Sequence, residues 1–316
     1  MLNQPVLSAL IPVVILIAIG YAAGRRRWIG PVGVKELSNL VFLVLTPALL
    51  FRTMSKVQVQ QLDFRPVAAY FIAVGLIFGG TLIVCGFNRR AAVLALANTF
   101  GNTVMIGIPL VSLAWGQPGL VTLFTLYTVH TALLLTSATL VLELAVAREE
   151  AAAGTAAPRH IAVTVLTAVR NALLHPVPLP IIAALLFAQT GLVLPELIDR
   201  PLELLGNALA PTALVLVGAT LAGTAVGAQW RGALGLAAVK NLLHPLLVAV
   251  AGRLLGLSGA PLAVMVVVAS LPIGANVFLF SQRYRVAEDL ITASVGLSTL
   301  LALGTVSLVL AATVFL

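Results

Sequence analysis

Long apolar stretches alternate with short polar or charged breaks along almost the whole chain. A helix needs roughly 20 residues, at about 1.5 Å of rise each, to cross a hydrocarbon core about 30 Å thick. Apolar runs of that length predict ten membrane-spanning helices. The predicted spans are residues 5–23, 32–51, 66–87, 91–115, 119–146, 165–190, 202–223, 232–254, 260–281 and 288–314. The longest polar gap, residues 147–160, is too short for a soluble domain.

The composition agrees with this pattern. Hydrophobic residues make up 60% of the chain and charged residues 9%, whereas soluble domains are about half apolar and about a quarter charged. So few charges cannot cover a water-facing surface, which excludes a soluble enzyme, a disordered chain and a nucleic-acid binder. The sequence contains no nucleophile–base pairing and no nucleotide-binding loop. It therefore predicts an all-α polytopic protein of the lipid bilayer that is not an enzyme and needs no cofactor.

The distribution of Lys and Arg predicts the orientation, because cytoplasmic loops are enriched in these residues. The odd-numbered loops carry twelve of the 18 and the even-numbered loops five. The net charge of +8 is thus mainly a topology signal. Positive charge follows the first apolar run at Arg25, Arg26 and Arg27, opposite to the order in a cleavable signal peptide. We expect a retained first span, both termini outside the cytoplasm, and residence in a bacterial inner membrane.

Ten spans divide into two sets of five, residues 1–146 and 161–316, joined by a cytoplasmic linker at 147–160. An odd number of spans per half makes the second half enter the membrane upside down, as in inverted-repeat transporters. Spans 2 and 7 each carry an Asn followed by a mid-span Pro, in LSNLVFLVLTPALLF and LLGNALAPTALVLVG. Spans 4 and 9, LALANTFGNTVMIGIPL and VVVASLPIGANVFLF, are each interrupted by Gly, Asn and Pro. The pattern predicts two inverted five-helix repeats.

The interruptions of spans 4 and 9 form the candidate substrate site. Gly costs about 1 kcal/mol and Pro about 3 kcal/mol in a helix interior, and backbone groups freed in hydrocarbon need other partners. Gly and Pro are common in spanning helices, so one kink means little, but two at matched depth favour a site. Half-helix N-termini meeting at the midplane would offer N–H donors to an anion. The candidate residues are Asn98, Gly101, Asn102, Thr103 and Pro109 in span 4, and Pro272, Gly274 and Asn276 in span 9.

Within this set we assign different roles. Asn102, Thr103 and Asn276 would donate hydrogen bonds to a carboxylate. The prolines and glycines, Gly101, Pro109, Pro272 and Gly274, would shape the broken backbone.

Two ionisable residues lie deep in predicted spans. Lys240, in span 8, would attract an anionic substrate, stand in for a coupling cation, or snorkel to the interface. His130, near the centre of span 5, would line the cavity and titrate near physiological pH, or bond a neighbouring helix. Nine of the ten Asp and Glu lie in loops or at span ends, so the interruptions lack the carboxylates that cation carriers need. This absence favours an organic anion as substrate.

Cysteine and histidine add little. The lone Cys85 in span 3 is expected to be a buried, unreactive thiol that forms no intrachain disulfide. The histidines within the spans are scattered and have no acidic partner, so no metal site is predicted.

The interrupted segments resemble the auxin efflux carrier family, which includes plant PIN-type auxin exporters and bacterial malonate and malate permeases. ANTFGNTVMIGIPL, followed by WGQPG, looks like the family's first crossing helix, and SLPIGANVFLFSQRY looks like the second. LGNALAPTALVLVGATL is similar to its other recognisable stretch. Asn102 and Pro272 match the crossover Asn and the second crossover Pro, whereas Gly101 stands where the family often has Pro.

The resemblance implies a scaffold of spans 1, 2, 6 and 7 and a transport unit of spans 3–5 and 8–10, with an elevator-type cycle around broken crossover helices 4 and 9. We expect a secondary transporter of small carboxylates, auxin-like or dicarboxylate. A sodium-coupled organic anion symporter of the bile-acid-carrier type is the alternative; a membrane-embedded enzyme and a passive channel are weaker ones. Coupling to a proton or a sodium ion stays open. The oligomeric state also stays open, because glycine pairs such as Gly75–Gly79 are compatible with a homodimer.

Overall fold

The computed structural model describes residues 4–58, 60, 62–152, 154, 163, 166–167, 169–170, 177–224, 227 and 229–316. Within these residues the chain forms eleven α-helices, counting segments joined by a π-turn within α2 and α8 as one helix. They are α1 Gln4–Arg25, α2 Pro31–Met54, α3 Arg65–Cys85, α4 Arg89–Thr99, α5 Ile108–Ala152, α6 Pro178–Gln189, α7 Glu196–Ala222, α8 Trp230–Leu254, α9 Gly259–Ala269, α10 Asn276–Tyr284 and α11 Glu288–Ala312. In this part of the chain, six helices (α2, α3, α5, α7, α8 and α11) are long and apolar enough to cross a membrane.

The helices lie where the sequence predicts spans. Span 4 corresponds to α4 and the beginning of α5, and span 9 corresponds to α9 and α10. Gly116, with φ 59° and ψ −146°, separates the beginning of α5 from the part that matches span 5. Most of the predicted linker 147–160 and the first half of span 6 lie outside the described residues. The prediction of an all-helical polytopic protein is confirmed, whereas the relation of its halves as inverted repeats stays a prediction.

Three π-turns occur in the described helices, and each has a proline two residues after it. They are Val41–Leu45 in α2, Thr103–Gly107 before α5, and Val239–Leu243 in α8; the prolines are Pro47, Pro109 and Pro245. A proline has no N–H, and its ring clashes with the carbonyl group four residues earlier. A widened turn accommodates that clash. Thr103 and Lys240 both lie in these widened turns.

Helices α1 and α7 cross at two glycines. A Cβ atom on Gly20 would lie 1.9 Å from the carbonyl oxygen of Val215, and one on Gly218 would lie 2.0 Å from that of Ile17. Neither position can hold a side chain without moving the backbone, so the helices touch main chain to main chain, as small residues permit in membranes. By contrast, a Cβ on Gly75 would meet nothing within 4 Å.

The prediction that Cys85 is buried is wrong. Cys85 is exposed at the end of α3. Its neighbours Ile83 and Val84 are each 84% exposed, whereas Ala69, Ala73 and Ile77 in the preceding turns are buried. Apolar character alone did not distinguish a residue facing other helices from one facing outward.

Candidate functional site

The two interrupted segments contact each other directly. Helix α4 ends at Thr99 and α9 ends at Ala269. In each case the chain continues for a few residues without helical structure before the next helical segment begins. Gly101 and Ile273 face each other as an isolated antiparallel bridge. The Asn102 N–H donates to the carbonyl oxygen of Pro272 at 2.8 Å, and the Gly274 N–H donates to that of Phe100 at 2.9 Å. Each broken segment thus satisfies main-chain groups of the other.

The close approach requires glycine at position 274. A Cβ atom there would lie 2.8 Å from a ring carbon of Phe100 and 3.0 Å from the carbonyl oxygen of Gly101. At Gly101 itself, a Cβ would lie 3.4 Å from the Lys240 ammonium nitrogen and 3.5 Å from Leu271. The space at Gly101 is limited by a side chain rather than by backbone.

Lys240 satisfies the carbonyl end of α9. Its ammonium group donates to the carbonyl oxygens of Ala269 at 2.6 Å and Leu271 at 2.8 Å, and the side chain is fully buried. The last carbonyl groups of a helix lack intrahelical partners and carry partial negative charge, so a cation there is favourable. Ser298 of α11 links the same interruption to α8. The Ile273 N–H donates to the Ser298 hydroxyl at 3.1 Å, and the Asn241 amide of α8 donates to the Ser298 carbonyl at 2.9 Å.

A cavity of about 310 Å³ lies beside the meeting point. Its walls come from α2, the two interrupted segments, α5, α7 and α11. Its polar lining residues are Ser38, Asn102, Thr103, Tyr127, Thr220, Thr224, Asn276 and Thr299. Among the described residues, none that line it carries a charged side chain, so it is polar and neutral.

Two helix N-terminal segments face this cavity. The main-chain N–H groups of Val104, Met105, Ala275 and Asn276 have no acceptor among the described residues, and all four residues line the cavity. The side-chain amides of Asn102 and Asn276 likewise make no hydrogen bond within the described chain. Unpaired N–H groups at helix N-termini combine donor capacity with partial positive charge, which suits an anion.

The predicted site residues divide into two groups. Gly101, Asn102, Thr103, Gly274 and Asn276 line the cavity. The others, Asn98, Pro109, His130, Lys240 and Pro272, do not line it. Pro272 acts through its carbonyl oxygen in the main-chain contact, Pro109 follows the π-turn that carries Thr103, and Asn98 donates its amide to the Thr81 hydroxyl at 3.1 Å.

His130 lies behind the cavity wall. The side chain is 1% exposed, and its ring centroid lies 5.2 Å from that of Phe100 and 5.8 Å from that of Tyr127, both of which line the cavity. The Tyr70 hydroxyl lies 3.4 Å from its Nε2. The structure therefore places His130 in an aromatic cluster rather than on the lining.

Sequence reasoning missed the polar residues that α2, α7 and α11 contribute. Thr220, near the end of span 7, and Thr224, which directly follows this span, are four residues apart and would lie on one face of a continuous helix. That spacing is the one feature of the sequence that could have identified these two residues as part of the cavity lining. Nothing in the sequence distinguished Ser38 or Thr299 from other hydroxyl residues that bond their own helix.

An all-helical membrane chain in which two interrupted helices meet beside a neutral, donor-lined cavity has the architecture of a membrane transport protein. Residues 5–310 match the family model described as "Membrane transport protein", and the chain belongs to this family, the auxin efflux carrier family. It is similar to a protein of Rhizobium meliloti (strain 1021) named "Putative malonate transporter", with 29% identity over 302 residues that cover 92% of this chain and 91% of that protein. The predicted family is confirmed, and the chain is a transporter rather than an enzyme.

Proposed function

We propose that the protein is a secondary transporter of small organic anions with one or two carboxylate groups. The observation that carries the proposal is that four residues with unpaired main-chain N–H groups, and two asparagines with free amides, line one cavity of about 310 Å³. That volume lies at the lower end of the range for small-molecule sites. The name of the Rhizobium meliloti relative supports a dicarboxylate such as malonate as the first substrate to test.

The carboxylate would be held by hydrogen bonds rather than by an opposite full charge. Asn102 and Asn276, with Thr103 and the N–H groups at the start of α10, would donate to its oxygen atoms. A hydrogen bond to a charged group contributes about 1.5–3 kcal/mol. Because no cationic side chain among the described residues lines the cavity, the substrate is bound without an ion pair and can leave again.

The position of the cavity supports an elevator-type cycle. One wall comes from α2 and α7, which belong to the proposed scaffold, and the other from the interrupted segments and α11, which belong to the proposed transport unit. Movement of one unit against the other would carry the cavity across the membrane. We propose that residues 1–146 and 161–316 form ten spans as inverted repeats, with the interrupted helices as their crossover.

Lys240 supports transport that does not require sodium. Its ammonium group already binds two carbonyl oxygens at the end of α9, where a coupling cation would otherwise have to neutralise partial negative charge. The sodium-coupled symporter is the competing function. Removal of sodium from both sides of proteoliposomes distinguishes the two: malonate transport should persist, and its loss would favour the symporter.

The site assignment is tested by exchange of radiolabelled malonate in proteoliposomes. Asn102→Ala and Asn276→Ala should each lower transport about 10- to 100-fold, the equivalent of one lost charge-assisted hydrogen bond. Asn207→Ala is the control, because Asn207 lies on an exposed face of α7 away from the cavity. Wild-type transport by both cavity variants, with normal folding, would contradict the assignment.

A further inference from the structure

A second, larger cavity adjoins the substrate cavity. It has a volume of about 920 Å³ and lies between the end of α1, the start of α2 and the end of α7. Val34, Thr220 and Thr224 line both cavities. We call the larger one the vestibule. Its only charged lining residues in the described chain are Arg25 and Arg27.

The turn after α1 places the side chains of three consecutive arginines in different surroundings. Arg27 has a left-handed backbone conformation, with φ 61°, and its N–H donates to the Gly24 carbonyl at 3.0 Å. This turn directs Arg25 and Arg27 to the vestibule, whereas the guanidinium group of Arg26 lies 5.2 Å from the centre of the Trp28 ring. Within the described residues no carboxylate lies within salt-bridge distance of Arg25 or Arg27.

The other end of α2 is arranged differently. There Arg52 and Lys56 contact the carboxylate of Asp199 at 2.9 and 3.3 Å, beside a cavity lined by Lys56 and Asp199. A second carboxylate, that of Glu203, lies 3.5 Å from the Arg52 guanidinium group, so each of these two cations has a carboxylate partner. Unpaired arginine charge beside a cavity is therefore a property of the end that carries the vestibule.

We propose that the vestibule collects the anionic substrate at one membrane face, and that Arg25 and Arg27 attract its carboxylates before it enters the substrate cavity. The proposal rests on the proposed function. A cleft lined by one sign of charge focuses the electric field and raises the local concentration of an oppositely charged ligand. Both guanidinium groups remain exposed to solvent, so the attraction is weak and screened by salt. The attraction raises the frequency with which substrate enters the vestibule and does not change the rate of the transport step.

The test is sided transport in vesicles of zwitterionic phosphatidylcholine, with substrate supplied from one face at a time. The double variant Arg25→Gln/Arg27→Gln should raise the KM for malonate about 3- to 10-fold at low ionic strength, with kcat unchanged. The increase should occur only from the face that carries these arginines and should disappear at about 0.5 M salt. Arg25→Lys/Arg27→Lys should retain the wild-type KM.

Arg26→Gln is the matched control, since it removes the same charge from the same turn but not from the vestibule. An equal rise of KM in Arg26→Gln would show a general surface-charge effect and overturn the proposal. An unchanged KM in the double variant, with the unmodified protein transporting malonate, would also overturn it. If the unmodified protein transports no carboxylate at all, the proposed function fails instead.

Discussion

Replacement of Lys240 by Met tests whether the buried ammonium group holds the interruption of span 9 together. Lys240→Met keeps the length and apolar stem of the side chain but removes both hydrogen bonds to the carbonyl oxygens of Ala269 and Leu271. A buried polar group left without a partner costs about 1–3 kcal/mol. The two carbonyls together therefore cost about 2–6 kcal/mol.

The opposing contribution is favourable, because the Met variant no longer buries a charged group. An ammonium group removed from water carries a desolvation penalty of several kcal/mol, and Met does not incur it. Because Ala269 and Leu271 are fully buried, water cannot replace the lost donor, and we expect the cost of the unpaired carbonyls to dominate. The free energy of unfolding should fall by about 2–4 kcal/mol, and transport should fall with it as the end of α9 shifts.

The assay is thermal unfolding of purified protein in detergent, beside malonate exchange in proteoliposomes. Lys240→Met should lower the unfolding temperature by about 3–6 °C, since 1 kcal/mol corresponds to about 1.5 °C for a chain of 316 residues. Lys240→Gln keeps an uncharged donor able to reach one carbonyl. Its unfolding temperature should lie between those of Lys240→Met and the unmodified protein. Equal stability and transport in Lys240→Met and the unmodified protein would refute the reasoning.

Two further predictions concern the fold. Gly20→Ala places a methyl group 1.9 Å from a carbonyl oxygen of α7 and should destabilise the protein by about 1–3 kcal/mol in the same unfolding assay. Gly75→Ala, where a Cβ meets nothing within 4 Å, should be neutral or stabilising. A larger loss of stability in Gly75→Ala than in Gly20→Ala would contradict the tight crossing of α1 and α7. In a Cys85→Ala background, Arg26→Cys should react with a membrane-impermeant maleimide only from the cytoplasmic face and Gln60→Cys only from the outer face. Labelling of each position from the opposite face would disprove the predicted orientation, and labelling of both from one face would disprove a membrane crossing between them.

The helices could be predicted because the information for them is local. Apolar length gives the spans, and Gly and Pro at their centres give the interruptions between α4 and α5 and between α9 and α10. The cavity lining from the interrupted segments, Asn102, Thr103 and Asn276, followed from the same local signal.

The rest depends on which faces meet. The sequence placed Lys240 at membrane depth but left three roles for it, and only the packing of α8 on α9 shows its ammonium group at the helix end. His130 packs against aromatic rings behind the cavity, and Cys85 is exposed because no neighbouring segment covers it in the described part of the chain. Ser38 and Thr299 reach the cavity from spans distant in sequence. Such residues cannot be identified from hydrophobic pattern alone.

The two interrupted segments are joined by main-chain hydrogen bonds, from Asn102 to Pro272 and from Gly274 to Phe100. Main-chain groups are the same for every residue type except proline. Apart from Gly274, where a Cβ atom would meet Phe100 and Gly101, this junction therefore does not depend on the side chains that face the substrate. The lining can therefore change during evolution while the frame that holds it stays intact. Substrate range in such a transporter can diverge by single substitutions without the loss of stability that usually limits changes in a buried site.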